Sequence, residues 1–412
     1  MPPPWRHSKF LDEYVSEQMP TECNTYIRKE NRLLSSANYV RMELPTRIAH
    51  RLRNMQTLPY SALKNPHISH VYELYYSAFE KLRKIPEVRT LDDNDKLCAV
   101  VKECLREHLS VIPRLAMGVL EIQESVPSEE CDKLMTALLR SRISRRVIAE
   151  QHLALTETFH SPWHFPDANH QVHQEDETVG EVLLKCNAKE VVENCARTTR
   201  ELAQKAYGSS VVIPEVTIQG HLGTTFPYIP SHLEYIIGEL LRNSIQAVVE
   251  QTRSPSPSPI EVLICEAAQH VIIRVSDQGG GVDRDVLPYL WSFSKGPRRY
   301  KRLQNLQRVP KLAGTLQELQ LPSADEADNS KSGDGKSAHS SRYDGSLSSL
   351  TSRPPDLRLG IGLPMSRIYA EYWAGSLELH SLEGFGVDAF LQISKLGNRN
   401  EVLSTRASMD AV

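Results

Sequence analysis

The sequence predicts an α + α/β chain: an N-terminal antiparallel helical bundle followed by an α/β sandwich with a mixed sheet. Two observations carry this. From about residue 20 to 205 apolar residues recur almost throughout at helical spacing, and after Gly208 the period changes to β-rich runs around one strong helix.

In the first half, Val71, Leu74, Tyr75, Ala78, Phe79 and Leu82 form one helical stripe, and residues 94–124 and 128–156 have the length of two further long helices. The breaks fall at Asn65-Pro66, Pro86 and Pro127, with Ser128 in the position of an N-cap. Long helices with short breaks imply an antiparallel bundle. Residues 160–178, rich in His, Pro and Asp, read as a surface loop. In the second half, Val211–Gly220 reads as a strand, and Ser231 with Glu234 has the form of a capping box opening a helix. Pro259–Asp277 reads as two strands joined by a short turn, and Ser376–His380 and Val387–Ile393 supply two more. Residues 297–355 turn to Ser, Gly, Asp, Lys and Arg, with a weak helical patch near 310–320. They read as an insertion unable to bury enough apolar surface to order itself. The organisation expected is a flexible 1–20, a helical domain 21–205, an α/β domain 206–395 and a flexible tail 396–412.

At 412 residues the chain is long enough for two such domains. A 40% hydrophobic and 24% charged composition is that of a globular protein, no apolar run approaches membrane length, and a net charge of -3 gives no reason to expect nucleic acid. The seven cysteines are dispersed, without a C-x-x-C pair or a His partner set, and are expected to be free thiols rather than zinc ligands.

The helix opening at Ser231 carries Leu233, Ile236, Ile237, Leu240, Leu241, Ile245 and Val248 on one stripe, with Tyr235, Glu239, Arg242, Asn243 and Gln246 on the other side. Glu239 and Asn243 thus project together. Such a pair is ordinarily a solvated face. Three glycine-bearing segments follow it: Asp277-Gln278-Gly279-Gly280-Gly281 at a strand end, Gly360-Ile361-Gly362-Leu363-Pro364 opening a helix, and Glu383-Gly384-Phe385-Gly386 before the last strand. Glycines at a helix start let backbone N–H groups approach phosphate, and an aspartate at a strand end can accept from an exocyclic amine.

In this order, E-x-x-x-N, D-x-G-G-G, G-x-G-L-P and E-G-F-G resemble the four nucleotide-binding boxes of the Bergerat-type (GHKL) ATPase and kinase superfamily. With Leu58–Phe79, Ser141–Leu155, Val275–Gly281 and Gly362–Phe390, the chain over roughly residues 40–395 looks like the mitochondrial kinases of α-keto-acid dehydrogenase complexes, pyruvate or branched-chain. That resemblance implies an ATP- and Mg²⁺-dependent serine kinase that phosphorylates, and so inhibits, the E1α subunit of pyruvate dehydrogenase. Glu239 would be the catalytic base and Asn243 the metal ligand. Nucleotide binding would fall to Asn243, Gln246, Asp277, Gly279, Gly281, Ser294, Lys295, Gly360, Ile361, Gly362 and Leu363, residues 297–355 being an insertion in the phosphate lid. Tyr75, His108, Arg142 and Arg146 match positions that in relatives line a regulatory keto-acid pocket, although Ala78 and Leu105 depart from polar partners found there. A homodimer through the kinase-domain sheet, docking to the lipoyl domain of the E2 core, and location in the mitochondrial matrix are implied likewise.

The chain departs from the family at Arg358, where a glycine is usual, at Val387, where a threonine is common, at Tyr235, where many pyruvate dehydrogenase kinases have histidine, and in lacking a C-terminal Asp-Trp pair. Arg358, Val387 and the insertion motivate a rival reading as a non-catalytic ATP-binding regulator or scaffold; the same kinase acting on branched-chain E1α is another. A histidine kinase is disfavoured because His152 precedes Leu153 rather than an acid, so His152 reads as a bundle residue.

Overall fold

The computed structural model describes residues 21–160, 178–179, 181–251, 256–315, 318, 353 and 357–395. The expected flexible termini, nearly all of the expected 160–178 loop and most of the insertion lie outside them.

The first half is a bundle of α1 (Thr21–Gln56), α2 (Tyr60–Leu63), α3 (Pro66–Arg83), α4 (Leu91–Glu107), α5 (Val111–Glu121) and α6 (Ser128–His160). Helix α1 packs on α3 and α6, and α3 on α5. The reasons are local. Asn65 caps α3, its side chain accepting from the His67 and Ile68 amides, with Pro66 at the first helical position where no N–H is needed. The expected stripe is the packed one: Val71, Tyr75, Ala78 and Leu82 are buried. The single helix expected over 94–124 is two helices parted by a 3-10 turn at His108–Ser110. Pro113, lacking an N–H, fits the first turn of a new helix and would disrupt the middle of a continuous one.

The second half adds β1 (Thr178–Val179), β2 (Val182–Asn187), α7 (Ala188–Tyr207), β3 (Val216–Gly220), β4 (Thr225–Tyr228), α8 (Pro230–Gln251), β5 (Ile260–Glu266), β6 (His270–Asp277), α9 (Arg299–Gln307), α10 (Gly362–Tyr372), β7 (Ser376–Leu382) and β8 (Gly386–Ser394). The main sheet runs β3-β5-β6-β8-β7; β3 and β5 are parallel and the other pairs antiparallel, so it is mixed as expected. Helices α8 and α10 pack against it, and α7 against α8.

Three readings need correction. Strands β2 and β4, paired antiparallel, were not expected; β2 lies in a stretch read as helical and β4 is only four residues long. Helix α8 begins at Pro230, so Ser231 lies inside it and Ile229 O receives the first amides. The segment 297–355 is not without structure throughout: Arg299–Gln307 is helical, and Leu306, Val309 and Leu312 are buried. Helix α9 packs on α5, and α10 packs on α6, joining the two halves. Among the described residues no helix is long and apolar enough to cross a membrane.

Candidate active site

Helix α8 carries the centre of the site. Its apolar stripe, Leu233 to Val248, is buried against its neighbours. The polar side is buried too: Tyr235 and Glu239 are 0% exposed and Arg242 3%, while Asn243 and Gln246 are half-buried. A carboxylate with no solvent access is not a wet face; burial of its charge is costly unless it is paired. The partner is Arg353, whose Nη2 donates to Glu239 Oε2 at 2.7 Å, and Arg242 Nε stands 3.5 Å from Oε1. Arg242 also donates to the Arg353 carbonyl. Tyr235, one turn earlier, donates to Gly362 O at 3.4 Å, and burial pushes its phenol well above the usual range.

Gly362 opens α10 directly against the carboxylate, for a Cβ there would stand 2.0 Å from Glu239 Oε2. Two residues earlier, Gly360 has φ +70°, a left-handed backbone that favours glycine, and a Cβ would meet Arg302 Nε at 2.2 Å. Arg302 is 6% exposed and gives its donors to the Phe293, Lys295, Leu359 and Gly360 carbonyls, tying together the two chain segments that flank the insertion. Ile361 is buried and Leu363 half-buried beside them.

Asp277 ends β6 at 5% exposure. Ser244 Oγ, from α8, donates to its Oδ2 at 2.7 Å and the Gly279 amide to Oδ1 at 2.9 Å. Burial raises its carboxyl above the ordinary range, opposed by these donors. Gly279 approaches α8 so closely that a Cβ would lie 2.5 Å from Ala247 Cβ, and Gly281 has φ +76°. Gly386, of the last glycine segment, abuts the Asp277 carbonyl. The structure thus brings Asp277, Gly279 and Gly362 against α8, which carries Glu239 and Asn243, while Gly360 lies two residues before Gly362, on Arg302.

Ser294 is placed differently. It is 2% exposed and committed to the bundle: its amide donates to Asp132 Oδ1 at 2.9 Å, its Oγ to Ser128 O at 3.2 Å, and its carbonyl accepts from Gln123. Lys295 is exposed, its ammonium 5.7 Å from the Tyr289 ring centroid. Gln246 spends its amide on Glu250 at 3.0 Å.

In the bundle, Tyr75, His108, Arg142 and Arg146 come together. The Tyr75 and His108 rings are 5.3 Å apart, edge to face. Burial first, then Arg145 and Arg142, push the His108 imidazole down to about 3. Both guanidiniums already hold a carboxylate. Arg142 donates to both oxygens of Glu318 at 3.0 and 2.6 Å, Arg146 Nε lies 3.4 Å from Glu318 Oε1, and Arg146 also binds Glu150 at 2.6 Å. His152 is fully buried against Ser36, at 3.1 Å, and burial depresses it to about 4.

Arg353, Arg302, Asp132 and Glu318 escaped sequence reasoning. Arg353, Arg302 and Glu318 lie in the stretch read as an insertion, where no periodicity marks them. Asp132 is one of several acids in the first turns of α6 and is distinguished only by what docks there.

Comparison with known proteins follows the same division. Residues 17–183 match the family model described as mitochondrial branched-chain alpha-ketoacid dehydrogenase kinase, and residues 228–395 match that of the histidine kinase-, DNA gyrase B- and HSP90-like ATPases. The chain is 34% identical to [pyruvate dehydrogenase (acetyl-transferring)] kinase 2, mitochondrial, of Saccharomyces cerevisiae, over 89% of this chain and 77% of that protein. It is 31% identical to the Arabidopsis thaliana mitochondrial pyruvate dehydrogenase kinase over 96% and 91%, and 25% identical to human isozyme 4 over 89% and 78%.

Proposed function

The chain belongs to the family of mitochondrial α-keto-acid dehydrogenase kinases, and from that premise we propose that it moves the γ-phosphoryl group of ATP to a serine of pyruvate dehydrogenase E1α and so inhibits that enzyme. The observation that carries the reading is the buried carboxylate of Glu239, one turn before Asn243 and in contact with the glycine that opens α10.

The chemistry follows from those groups. The serine oxygen attacks the γ-phosphorus, its proton passes to Glu239, the new O–P bond forms, and the bond to the bridging oxygen breaks to release ADP. Positioning and charge stabilisation supply most of the catalysis. Asp277 accepts from the adenine amine, held for it by Ser244 and the Gly279 amide. The Asn243 amide oxygen, half-buried one turn after Glu239, is of the kind a hard cation prefers, so Asn243 would hold Mg²⁺, which would supply neutralisation of phosphate charge.

Transfer of labelled γ-phosphate from Mg-ATP to purified pyruvate and branched-chain E1, each with its E2 core, tests the reading. Label on pyruvate E1α that falls by a factor on the order of 100 or more in Glu239→Gln supports it. Label only on branched-chain E1α moves the substrate, a reading favoured by the description of the family model over residues 17–183. ATP binding without transfer to either leaves a non-catalytic regulator.

Four further parts of this reading rest on family membership. The protein works in the mitochondrial matrix, pairs through its kinase-domain sheet, docks through the bundle to the lipoyl domain of E2, and admits a keto acid at Tyr75, His108, Arg142 and Arg146 in place of the Glu318 carboxylate that the two guanidiniums hold. Sedimentation as a monomer, or no retention on immobilised lipoyl domain, contradicts the second or the third.

A further inference from the structure

None of the four nucleotide-binding motifs includes Arg353, yet it makes the shortest contact to the proposed base. Its side chain is 6% exposed and that of Glu239 0%, so the 2.7 Å bond between them is a buried ion pair. While it stands, Oε2 is occupied by a guanidinium and is closed to a substrate hydroxyl. Only one arm of the fork is used: Arg353 Nη1 is buried with no hydrogen-bond partner, and Glu239 Oε1 accepts none either. A buried guanidinium donor left unmade is expensive, and an anion would satisfy it, while Oε1 is faced by Arg242 at 3.5 Å.

The position fixes which anion. A Cβ on Gly362 would stand 2.0 Å from Glu239 Oε2 and 3.2 Å from Arg353 Nη2, so both charged groups border the glycine that begins α10. The start of that eleven-residue helix offers amides of the kind that favour phosphate. Two guanidiniums, Arg242 and Arg353, face the Glu239 carboxylate there.

We propose that Arg353 is a positioning residue for phosphoryl transfer: it trades its ion pair with Glu239 for the terminal phosphate of bound ATP, freeing the carboxylate once nucleotide is in place. The exchange breaks one charge-assisted pair and makes another, so it is near balance and is tipped by the greater charge of the phosphate. Arg242, still 3.5 Å from Oε1, keeps the freed carboxylate compensated. This inference rests on the kinase reading of Glu239, but its test does not require turnover.

Dissociation constants for ATP and ADP are measured on the full chain as wild type, Arg353→Ala, Arg353→Lys, Glu239→Gln and Glu239→Gln/Arg353→Ala, with circular dichroism as the folding control. Arg353→Ala is expected to weaken ATP about tenfold and ADP less than about threefold, and Arg353→Lys to recover part of the ATP affinity. Glu239→Gln releases the guanidinium, so it should tighten ATP severalfold in the wild-type background and have no effect in Arg353→Ala. Equal weakening of ATP and ADP, or the same Glu239→Gln effect in both backgrounds, overturns the proposal. If Glu239→Gln does not fold, the ATP-to-ADP ratio of Arg353→Ala decides alone. Absence of transfer to any E1 with the cycle intact removes the kinase reading and leaves the exchange standing; transfer with a flat cycle removes the exchange alone.

Discussion

Replacing Glu318 by glutamine removes the charge from the most enclosed ion pair between the two halves of the molecule. Arg142 and Glu318 are 3% and 2% exposed, and the carboxylate also accepts from the Gly314 amide at 3.0 Å. Arg142 and Arg146 outweigh the burial penalty and hold the Glu318 carboxyl down from 4.5 to about 2. At about 1.4 kcal/mol per unit, that difference is worth on the order of 3 kcal/mol. Because the folded-state value is depressed, the contribution is complete above the unfolded value of 4.5 and is lost as pH falls through about 2. Glu318→Gln is therefore expected to lower stability by about 3 kcal/mol at neutral pH, the size typical of breaking one side of a buried pair. Glu150, already 2.6 Å from Arg146, can take up part of the stranded charge and reduce the loss. Urea denaturation followed by tryptophan fluorescence measures the gap. It should narrow steadily as the pH is lowered from 4.5 towards 2. Adding Arg142→Met should cost less in the Glu318→Gln background than alone, by about 2 kcal/mol. A neutral-pH gap under about 1 kcal/mol, or one that does not narrow in acid, refutes the reasoning.

Two further outcomes follow from the same geometry. Gly279→Ala places a methyl 2.5 Å from Ala247 Cβ and 2.9 Å from α8 backbone, so α8 and the Asp277 turn must separate; ATP affinity measured by calorimetry should fall more than about tenfold. Asp132→Asn weakens the anchor that accepts from Ser292 Oγ at 2.6 Å and from the Phe293 and Ser294 amides at 3.0 and 2.9 Å, at a cost of about 1–2 kcal/mol. Amide exchange over 292–295 should quicken while that of β5 and β6 is unchanged.

Most of the fold was legible where one physical signal dominates. The stripes of α3 and α8, and the alternating runs of β5 and β6, specify element and buried face together because their periods differ. Strand β4 is too short for periodicity to register, and Pro230 rather than the apparent capping box begins α8 because a proline fits the first helical position without losing a bond. Of the candidate site, the sequence made legible the backbone constraints at Gly279, Gly281, Gly360 and Gly362, each a close approach or a positive φ, and the placing of Glu239 and Asn243 one turn apart on α8. What the spacing could not give was the burial of Glu239 and its ion pair with Arg353, more than a hundred positions away. Long-range ion pairs leave no period in the sequence.

Those long-range pairs share an arrangement. Asp132 holds the Phe293 and Ser294 amides, Gln123 the Ser294 carbonyl, Leu109 O the Leu312 amide, and Arg142 with Arg146 the Glu318 carboxylate. Each runs from the bundle to the chain between Gly281 and Gly360, and Arg302 ties that chain to Gly360 itself. Asp132 and Arg142 lie on one helix, α6, which packs against α10. A closely packed interior transmits displacement rather than absorbing it. A shift of α6 relative to the sheet must therefore alter both anchors and the start of α10 together, and with them the surroundings of Glu239. The bundle is in this sense part of the framework of the candidate active site, although none of the residues proposed for the chemistry lies in it.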